Sequence, residues 1–462
     1  MIYDFGEPGK SDDGARPRSA LRAVHGRLYG TTQFGGTTNA RCPLGCGTVF
    51  SVDASGKERV IYRFKGGNDG AAPLAGVIVD GVLYGTTSAG GGAGACQGGC
   101  GTVFKVNTSG TSEAVLHAFA GGTDGAVPAA PLVRLGGILY GTTQSGGRIT
   151  HLCPSGCGTV FSIHLQGSER VIYRFGGGKD GANPIASLHA YRGQLYGTTQ
   201  YGGATTSFCA TGCGTVFKIS TAGVRKTLHA FTYASSSKDG AFPAAGIVVL
   251  GGKLYGTTFG GGRYGEGTVF EVNPSSGSER VVHAFGNNTD GQFPQAGLTV
   301  VNAILFGTTL DGGISGKGTV FEVRPSGAET VLHDFGGKPD GAMPSAAVTS
   351  FGSKLYGTTG DAGARSEGTV FAMAPVARGN QGGLWTLPEA DSLATYSERK
   401  NHEAPGFVDT KHGGVCFGAR RGASRFNGAT RAGADGRPQR QTRLLVHDVL
   451  DGNVELHADA AR

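Results

Sequence analysis

One short phrase, Leu-Tyr-Gly-Thr-Thr, constrains this chain more than any other feature. It recurs seven times in 462 residues, with its aromatic residue at Tyr29, Tyr84, Tyr140, Tyr196, Tyr255, Phe306 and Tyr356. Successive copies lie 55, 56, 56, 59, 51 and 50 residues apart. Each is followed by Gly-Thr-Val-Phe, ending at Phe50, Phe104, Phe161, Phe217, Phe270, Phe321 and Phe371. Next comes a phrase such as Ile-Tyr-Arg-Phe (61–64, 172–175) or Leu-His-Ala-Phe (116–119, 228–231). Asp-Gly then follows, at Asp13, Asp69, Asp124, Asp180, Asp239, Asp290 and Asp340, with a Pro four residues beyond each Asp, from Pro17 to Pro344. A period of this length repeats one supersecondary unit, which buries its apolar face only against its neighbours.

Each unit reads as four short strands. In the second, Ala75–Val79 is a strand, Asp80-Gly81 a two-residue hairpin turn, and Val82–Thr87 the next strand. Thr102–Val106 and Ala114–Phe119 complete it. β-branched and aromatic residues fill these runs, Gly and Ser separate them, and no useful stretch has the 3.6-residue apolar period of a helix. Seven four-stranded antiparallel units predict an all-β chain folded as a seven-bladed β-propeller; a β-solenoid, whose coils are shorter and simpler, is the alternative. Small residues open the strand after each Pro (Ala186-Ser187, Ala245-Gly246, Ala346-Ala347), as crowding around a central axis requires. The chain begins with a fourth-strand phrase, Ile2-Tyr3-Asp4-Phe5, while the seventh repeat stops after Gly-Thr-Val-Phe-Ala-Met at 373. The N-terminal strand is therefore expected to complete the last blade and remove two open edges.

These phrases, covering roughly residues 2–376, resemble the GloVer tandem-repeat family, the Gly-rich "choice-of-anchor" repeats of bacterial surface proteins. The resemblance implies an exported, surface-associated repeat protein of unassigned molecular function, and brings no catalytic residues. The chain is expected to divide into a propeller at 1–376 and a poorly ordered Gly/Arg-rich tail at 377–462. The tail carries Arg420, Arg421, Arg425, Arg431, Arg437, Arg440 and Arg443 against Asp435, which suits a solvated segment. Glycine, at 86 residues, has no three-residue period, so collagen is excluded. No run approaches the roughly 20 apolar residues of a membrane helix, so no integral membrane segment is expected. Lys and Arg total 41 against 34 Asp and Glu, an excess too dilute for a nucleic-acid stripe. Met1-Ile-Tyr-Asp-Phe does not read as a secretory signal.

Eight of the nine cysteines form Cys-x-x-x-Cys pairs: Cys42/Cys46, Cys96/Cys100, Cys153/Cys157 and Cys209/Cys213. Each pair precedes Gly-Thr-Val-Phe in one of the first four repeats. Their loops run 13 or 14 residues, where the Cys-free loops of the last three repeats have 8. The cysteines travel with a loop extension, as a local disulfide staple would, and this implies an oxidising, extracytoplasmic setting. Free thiols and metal binding are the alternatives. Metal is disfavoured because a pair supplies two ligands where structural zinc takes about four. Cys416 is left over.

Other candidates read as structural. The seven Asp precede Gly and suit turns better than a cation ring. His117, His229, His283 and His333 occupy the slot held elsewhere by Tyr3, Tyr62 and Tyr173, an exchange that suits blade packing rather than metal ligation. Residues 312–319, Gly-Gly-Ile-Ser-Gly-Lys-Gly-Thr, lack the Ser/Thr after Lys317 that a phosphate loop needs and open a strand. The inner strands offer only Arg22, Arg134 and His189 as unusual polar residues. No catalytic residue, metal site or cofactor is therefore expected. In an up-and-down blade, the Cys loops and the Asp-Gly-Pro loops emerge on one face, which is the better binding surface. The expected function is a non-catalytic, exported or cell-surface, monomeric protein presenting that face to a glycan or protein ligand. A propeller hydrolase or lyase acting at the channel mouth is the alternative.

Overall fold

The computed structural model describes residues 1–374 apart from 7–12, 74–77, 80, 93, 111, 234–237 and 288. The expected tail, with Cys416 and its arginines, lies outside the described residues, as does most of the expected strand at 75–79.

Seven antiparallel blade sheets follow one another along the chain, the first six built from strands in sequence order, and a two-stranded ladder pairs Gly240–Ala241 with Gly260–Gly261. Blade 3 shows the pattern: Val133–Leu135, Ile138–Thr143, Thr159–Ile163 and Glu169–Arg174. Blade 7 contains Thr349–Phe351, Lys354–Thr359 and Thr369–Met373, and its fourth strand is Tyr3–Asp4, with Tyr3 opposite Val370 and Asp4 opposite Thr369. The amides of Ile2 and Phe5 extend this pairing, donating to Val370 O (2.8 Å) and Gly368 O (3.0 Å). Both expectations, seven blades and closure by the N-terminal strand, are met. Blade 1 carries one addition, Gly14–Pro17 paired with Arg27–Gly35. One-turn 3₁₀ helices occur at Gly67–Asp69, Gly122–Asp124 and Gly178–Asp180.

The core lies between blades. Seven apolar clusters serve seven junctions, and each draws on two neighbouring sheets. The terminal Phe of each fourth strand meets the Gly-Thr-Val-Phe ring of the next blade edge-on, as in Phe64–Phe104, Phe119–Phe161 and Phe335–Phe371, with centroids 5.0–5.2 Å apart. Phe5–Phe50, at 5.0 Å, is the same contact across the closure.

The repeated phrases now have physical reasons. Glycine in Leu-Tyr-Gly-Thr-Thr makes room for that Phe: a Cβ on Gly141 would lie 2.5 Å from Phe161 Cζ. The second Thr pairs with the Thr of Gly-Thr-Val-Phe through their hydroxyls, at 2.8 Å for Thr143 and Thr159. The first Thr reaches the inner strand of the following blade; Thr142 Oγ1 donates to Ala186 O (3.1 Å) and Thr198 Oγ1 to Ala245 O (3.1 Å). Small inner residues are needed, since a Cβ on Gly246 would lie 2.3 Å from Ser187 Oγ of the preceding blade.

Candidate functional site

Antiparallel order places the loops between second and third strands on one face, together with the Asp-Gly-Pro crossings to the next blade. Hydrogen bonds tie these two loop sets together around the ring: Gly91 N donates to Gly67 O (2.7 Å), Gly147 N to Gly122 O (2.7 Å) and Gly203 N to Gly178 O (2.8 Å).

The structure joins Cys42 to Cys46, Cys96 to Cys100, Cys153 to Cys157 and Cys209 to Cys213. Each bridge is local, but it is more than a brace on the extension. Cys46, Cys100, Cys157 and Cys213 are buried within the interblade clusters. Their sulfurs pack against the crossing loop, so that a Cβ on Gly66 would come within 3.1 Å of both Cys42 Sγ and Cys46 Sγ.

The residue before each Pro carries a feature that the repeat pattern did not reveal. Arg16, Ala72, Val127, Asn183, Phe242, Phe293 and Met343 all adopt left-handed backbone, φ 51–58°. That conformation costs an L-residue roughly 1–2 kcal/mol. It is held by bonds to two blades at once. Val127 N donates to Cys100 O (2.8 Å) while its carbonyl accepts from Gln144 N (3.0 Å) of the next blade; Phe242 bonds likewise to Cys213 and Phe259. The position is strained in every repeat, yet its side chain differs in almost every one. The larger side chains meet partners on the same face: Phe293 stacks on Phe259 at 4.9 Å, Phe242 meets Tyr201 at 5.8 Å, and Arg16 lies over Phe34 at 5.6 Å. The sequence signal was the variable residue inside an otherwise constant Asp-Gly-x-x-Pro.

Exposed apolar side chains are concentrated on this face. Among the described residues eight large ones are exposed, and six of them (Leu44, Ile149, Leu152, Phe208, Tyr264 and Ile314) sit on second-to-third-strand loops. Val224 lies on a turn of the opposite face. Ile314 is 78% exposed and Leu44 66%.

The seven Asp bond beyond their own turns. Each accepts from the backbone where the fourth strand ends, as Ala120 N donates to Asp124 Oδ2 (2.7 Å) and Lys65 N to Asp69 Oδ2 (2.7 Å). Each also meets the His or Tyr of that strand. Tyr3, Tyr62 and Tyr173 hydroxyls donate to Asp13, Asp69 and Asp180 at 2.6–2.7 Å. The Nε2 atoms of His117, His229, His283 and His333 lie 2.9–3.3 Å from Asp124, Asp239, Asp290 and Asp340. This explains the His/Tyr exchange, since both types present a polar atom to the carboxylate. A bulge in the fourth strand, between Val115 and His117 in blade 2, re-aims the side chain. Burial opposes ionisation of Asp124, but hydrogen bonds from His117 and Ala120 outweigh it and hold the carboxyl below its usual range.

A glutamate that opens the next blade's fourth strand approaches four of these pairs: Glu113 beside Asp69, Glu169 beside Asp124, Glu279 beside Asp239 and Glu329 beside Asp290. Sequence reasoning missed them because they belong to the following repeat. Burial pushes Glu113 and Glu169 up to about 7, and Asp69 and Asp124 add to it. Burial, with Asp290, Glu322 and Asp334 nearby, pushes Glu329 up to about 8. At the junction of blades 3 and 4 an arginine takes the glutamate's place. Arg225 Nη1 donates to Asp180 Oδ1 (3.0 Å), with its side chain 6% exposed among the rings of Tyr173, Phe175 and Phe217.

Arg22, Arg134 and His189 lie on inner strands of blades 1, 3 and 4. Arg22 and His189 stand opposite Tyr29 and Tyr196, while Arg134 is one residue further along, opposite Leu139. Arg22 remains open to water, but the surrounding protein lowers its pKa, and burial lowers that of His189.

The Gloeobacter/Verrucomicrobia repeat profile matches residues 1–152, 36–262, 148–315 and 250–400. The chain belongs to this repeat family. No curated protein matches it. Among solved structures, it is similar to an oligogalacturonate lyase in complex with manganese, at 11% identity and TM-score 0.46, over 76% of this chain and 86% of that one. It also resembles the extracellular domain of a one component system of B. thetaiotaomicron, at 12% identity and TM-score 0.49, covering 78% of this chain and 38% of that one. A chain of a nidogen/laminin complex matches at 14% identity and TM-score 0.38, over 63% and 91%. At such identities and scores these likenesses carry no argument about activity. No helix of the described residues is long and apolar enough to cross a membrane.

Proposed function

We propose that this repeat protein is a non-catalytic binding module, exported or at the cell surface, whose loop face takes a protein or glycan ligand. One observation carries the reading: six of the eight exposed large apolar side chains of the described residues project from that one set of loops. Exposed apolar surface gathered on one side of a soluble domain marks an interaction site. The scaffold behind it is stiff, because disulfides, crossing-loop hydrogen bonds and the left-handed residues fix the loop bases. Stiffness lowers the ordering cost of binding. The aliphatic tips Leu44, Ile149, Leu152 and Ile314 suit a protein surface, and Phe208 and Tyr264 also suit the face of a sugar ring. Four disulfides support an oxidising compartment.

The test is a glycan array and an array of extracellular proteins, probed with the full chain and with a Leu44→Ser/Phe208→Ser/Ile314→Ser variant. The ligand found with the parent chain is expected to bind the variant at least ten-fold more weakly, at an unchanged melting temperature. Equal binding by the variant, or loss of binding on substitution of Val224 on the other face, refutes the assignment. Turnover of the bound ligand refutes the non-catalytic part.

A further inference from the structure

We propose that two blade junctions are sites for a first-row divalent metal ion, one held by His117, Asp124 and Glu169, the other by His229, Asp239 and Glu279. In each, a His and an Asp come from one blade and the Glu from the first position of the next blade's fourth strand. One donor atom from each residue lies within 4.8 Å of the other two, and among the described residues only these two groups of His, Cys, Asp or Glu converge in this way.

The two carboxylates need something between them. Glu169 Oε1 and Glu279 Oε1, like Glu113 Oε1 and Glu329 Oε1 at two other junctions, are shut off from solvent with no donor among the described residues; at Glu169 and Glu279 a histidine nitrogen and an aspartate converge on the same place. The other junctions show how the same place is filled when its residues differ. Between blades 3 and 4 a cation does it, the guanidinium of Arg225 bound to Asp180 at 3.0 Å. Between blades 1 and 2 a hydroxyl proton does it, with Tyr62 OH 2.7 Å from Asp69 Oδ1 and 3.4 Å from Glu113 Oε2. At the His117 and His229 junctions the place holds one imidazole nitrogen and two carboxylates, a donor set that suits zinc and its neighbours better than the all-oxygen shells of calcium or magnesium. His117 Nε2 is 3.2 Å from Asp124 Oδ2, and His229 Nε2 is 3.3 Å from Asp239 Oδ2. Bonds of about 2.0–2.1 Å to a tetrahedral zinc ion put neighbouring ligand atoms about 3.3–3.4 Å apart, so these two need hardly move, and the Glu closes onto the ion. Water completes the shell. His283 and His333 make the same pairs with Asp290 and Asp340, but among the described residues no third donor converges on them, so an ion site needs both the histidine and a glutamate that reaches it.

The full chain, stripped with a chelator and with its disulfides intact, is titrated calorimetrically with ZnCl₂ and, in parallel, with CaCl₂ and MgCl₂. Two equivalents of zinc per chain are expected, with no calcium or magnesium binding and a raised melting temperature in zinc. Glu169→Gln and Glu279→Gln should each lose one equivalent and the double variant both. These substitutions keep the side-chain volume and remove a buried charge, so the fold tolerates them. Tyr62→His should add a third equivalent by completing a set with Asp69 and Glu113. The proposal is overturned if the parent chain binds no zinc, or if the double variant still binds two equivalents.

Discussion

Replacing Phe5 with alanine probes ring closure through one side chain. Phe5 is fully buried and meets Phe50 edge-on at 5.0 Å, in the cluster that also contains Leu21, Leu28, Tyr356 and Val370. Truncating a buried Phe costs about 3–5 kcal/mol in lost transfer energy and residual cavity. Phe231 gives an internal reference: it is equally buried and meets Phe270 at 5.2 Å in the same geometry. The two differ in how their strands are held. The strand of Phe231 is joined by a turn to its neighbour within blade 4, whereas Tyr3–Asp4 is held to blade 7 by pairing and packing alone. Urea unfolding of the full chain, followed by far-ultraviolet circular dichroism, should show both variants destabilised by about 3–5 kcal/mol. The Phe5 variant alone should also self-associate, because release of its strand bares the edge at Thr369–Met373. If Phe5→Ala behaves like the parent chain while Phe231→Ala bears its full cost, the N-terminal segment is not the fourth strand of blade 7.

Unreduced tryptic peptides should show Cys42–Cys46, Cys96–Cys100, Cys153–Cys157 and Cys209–Cys213 each closed within a single peptide; bridges between blades would refute the arrangement. Reduction should cost up to about 2 kcal/mol per bridge on the chain-entropy estimate and leave the circular dichroism spectrum of a propeller. Glu113 and Glu329 are pushed up from 4.5 to about 7 and about 8, so the fold favours their neutral forms. Their contribution is present at pH 4.5 and is lost as pH rises to about 8, of order 1–2 kcal/mol each after allowance for partial exposure. Glu113→Gln and Glu329→Gln should therefore gain stability over the parent at pH 8.5 and little at pH 5, as chemical unfolding at the two pH values will show; an equal gain at both would remove the electrostatic explanation. Gly141→Ala should destabilise by about 1–3 kcal/mol through overpacking, since its Cβ would meet Phe161 and Leu132 at 2.5 and 2.8 Å; a thermal melt identical to the parent's would show that blade 3 packs otherwise.

Seven blades, their strand order and the closing N-terminal strand were legible in residue order, because a propeller is built from contacts that recur at one period. Tyr29 to Tyr356, Phe50 to Phe371 and the out-of-phase Ile2-Tyr3-Asp4-Phe5 carry that information in the chain itself. The pairing of each Cys-x-x-x-Cys was legible for the same reason, since both partners sit in one loop. What could not be read was anything made across a junction. Glu169 stands beside Asp124, and Arg225 beside Asp180, 45 residues apart in each case, and no local rule links such positions until two sheets pack side by side. The left-handed residues before the prolines belong to the same class. Local preference argues against that backbone before Pro, and it persists because Val127 and its equivalents bond to two blades at once. The one-sided exposure of Leu44, Phe208 and Ile314 follows from closure too: a loop acquires a face only when the ring gives the molecule two.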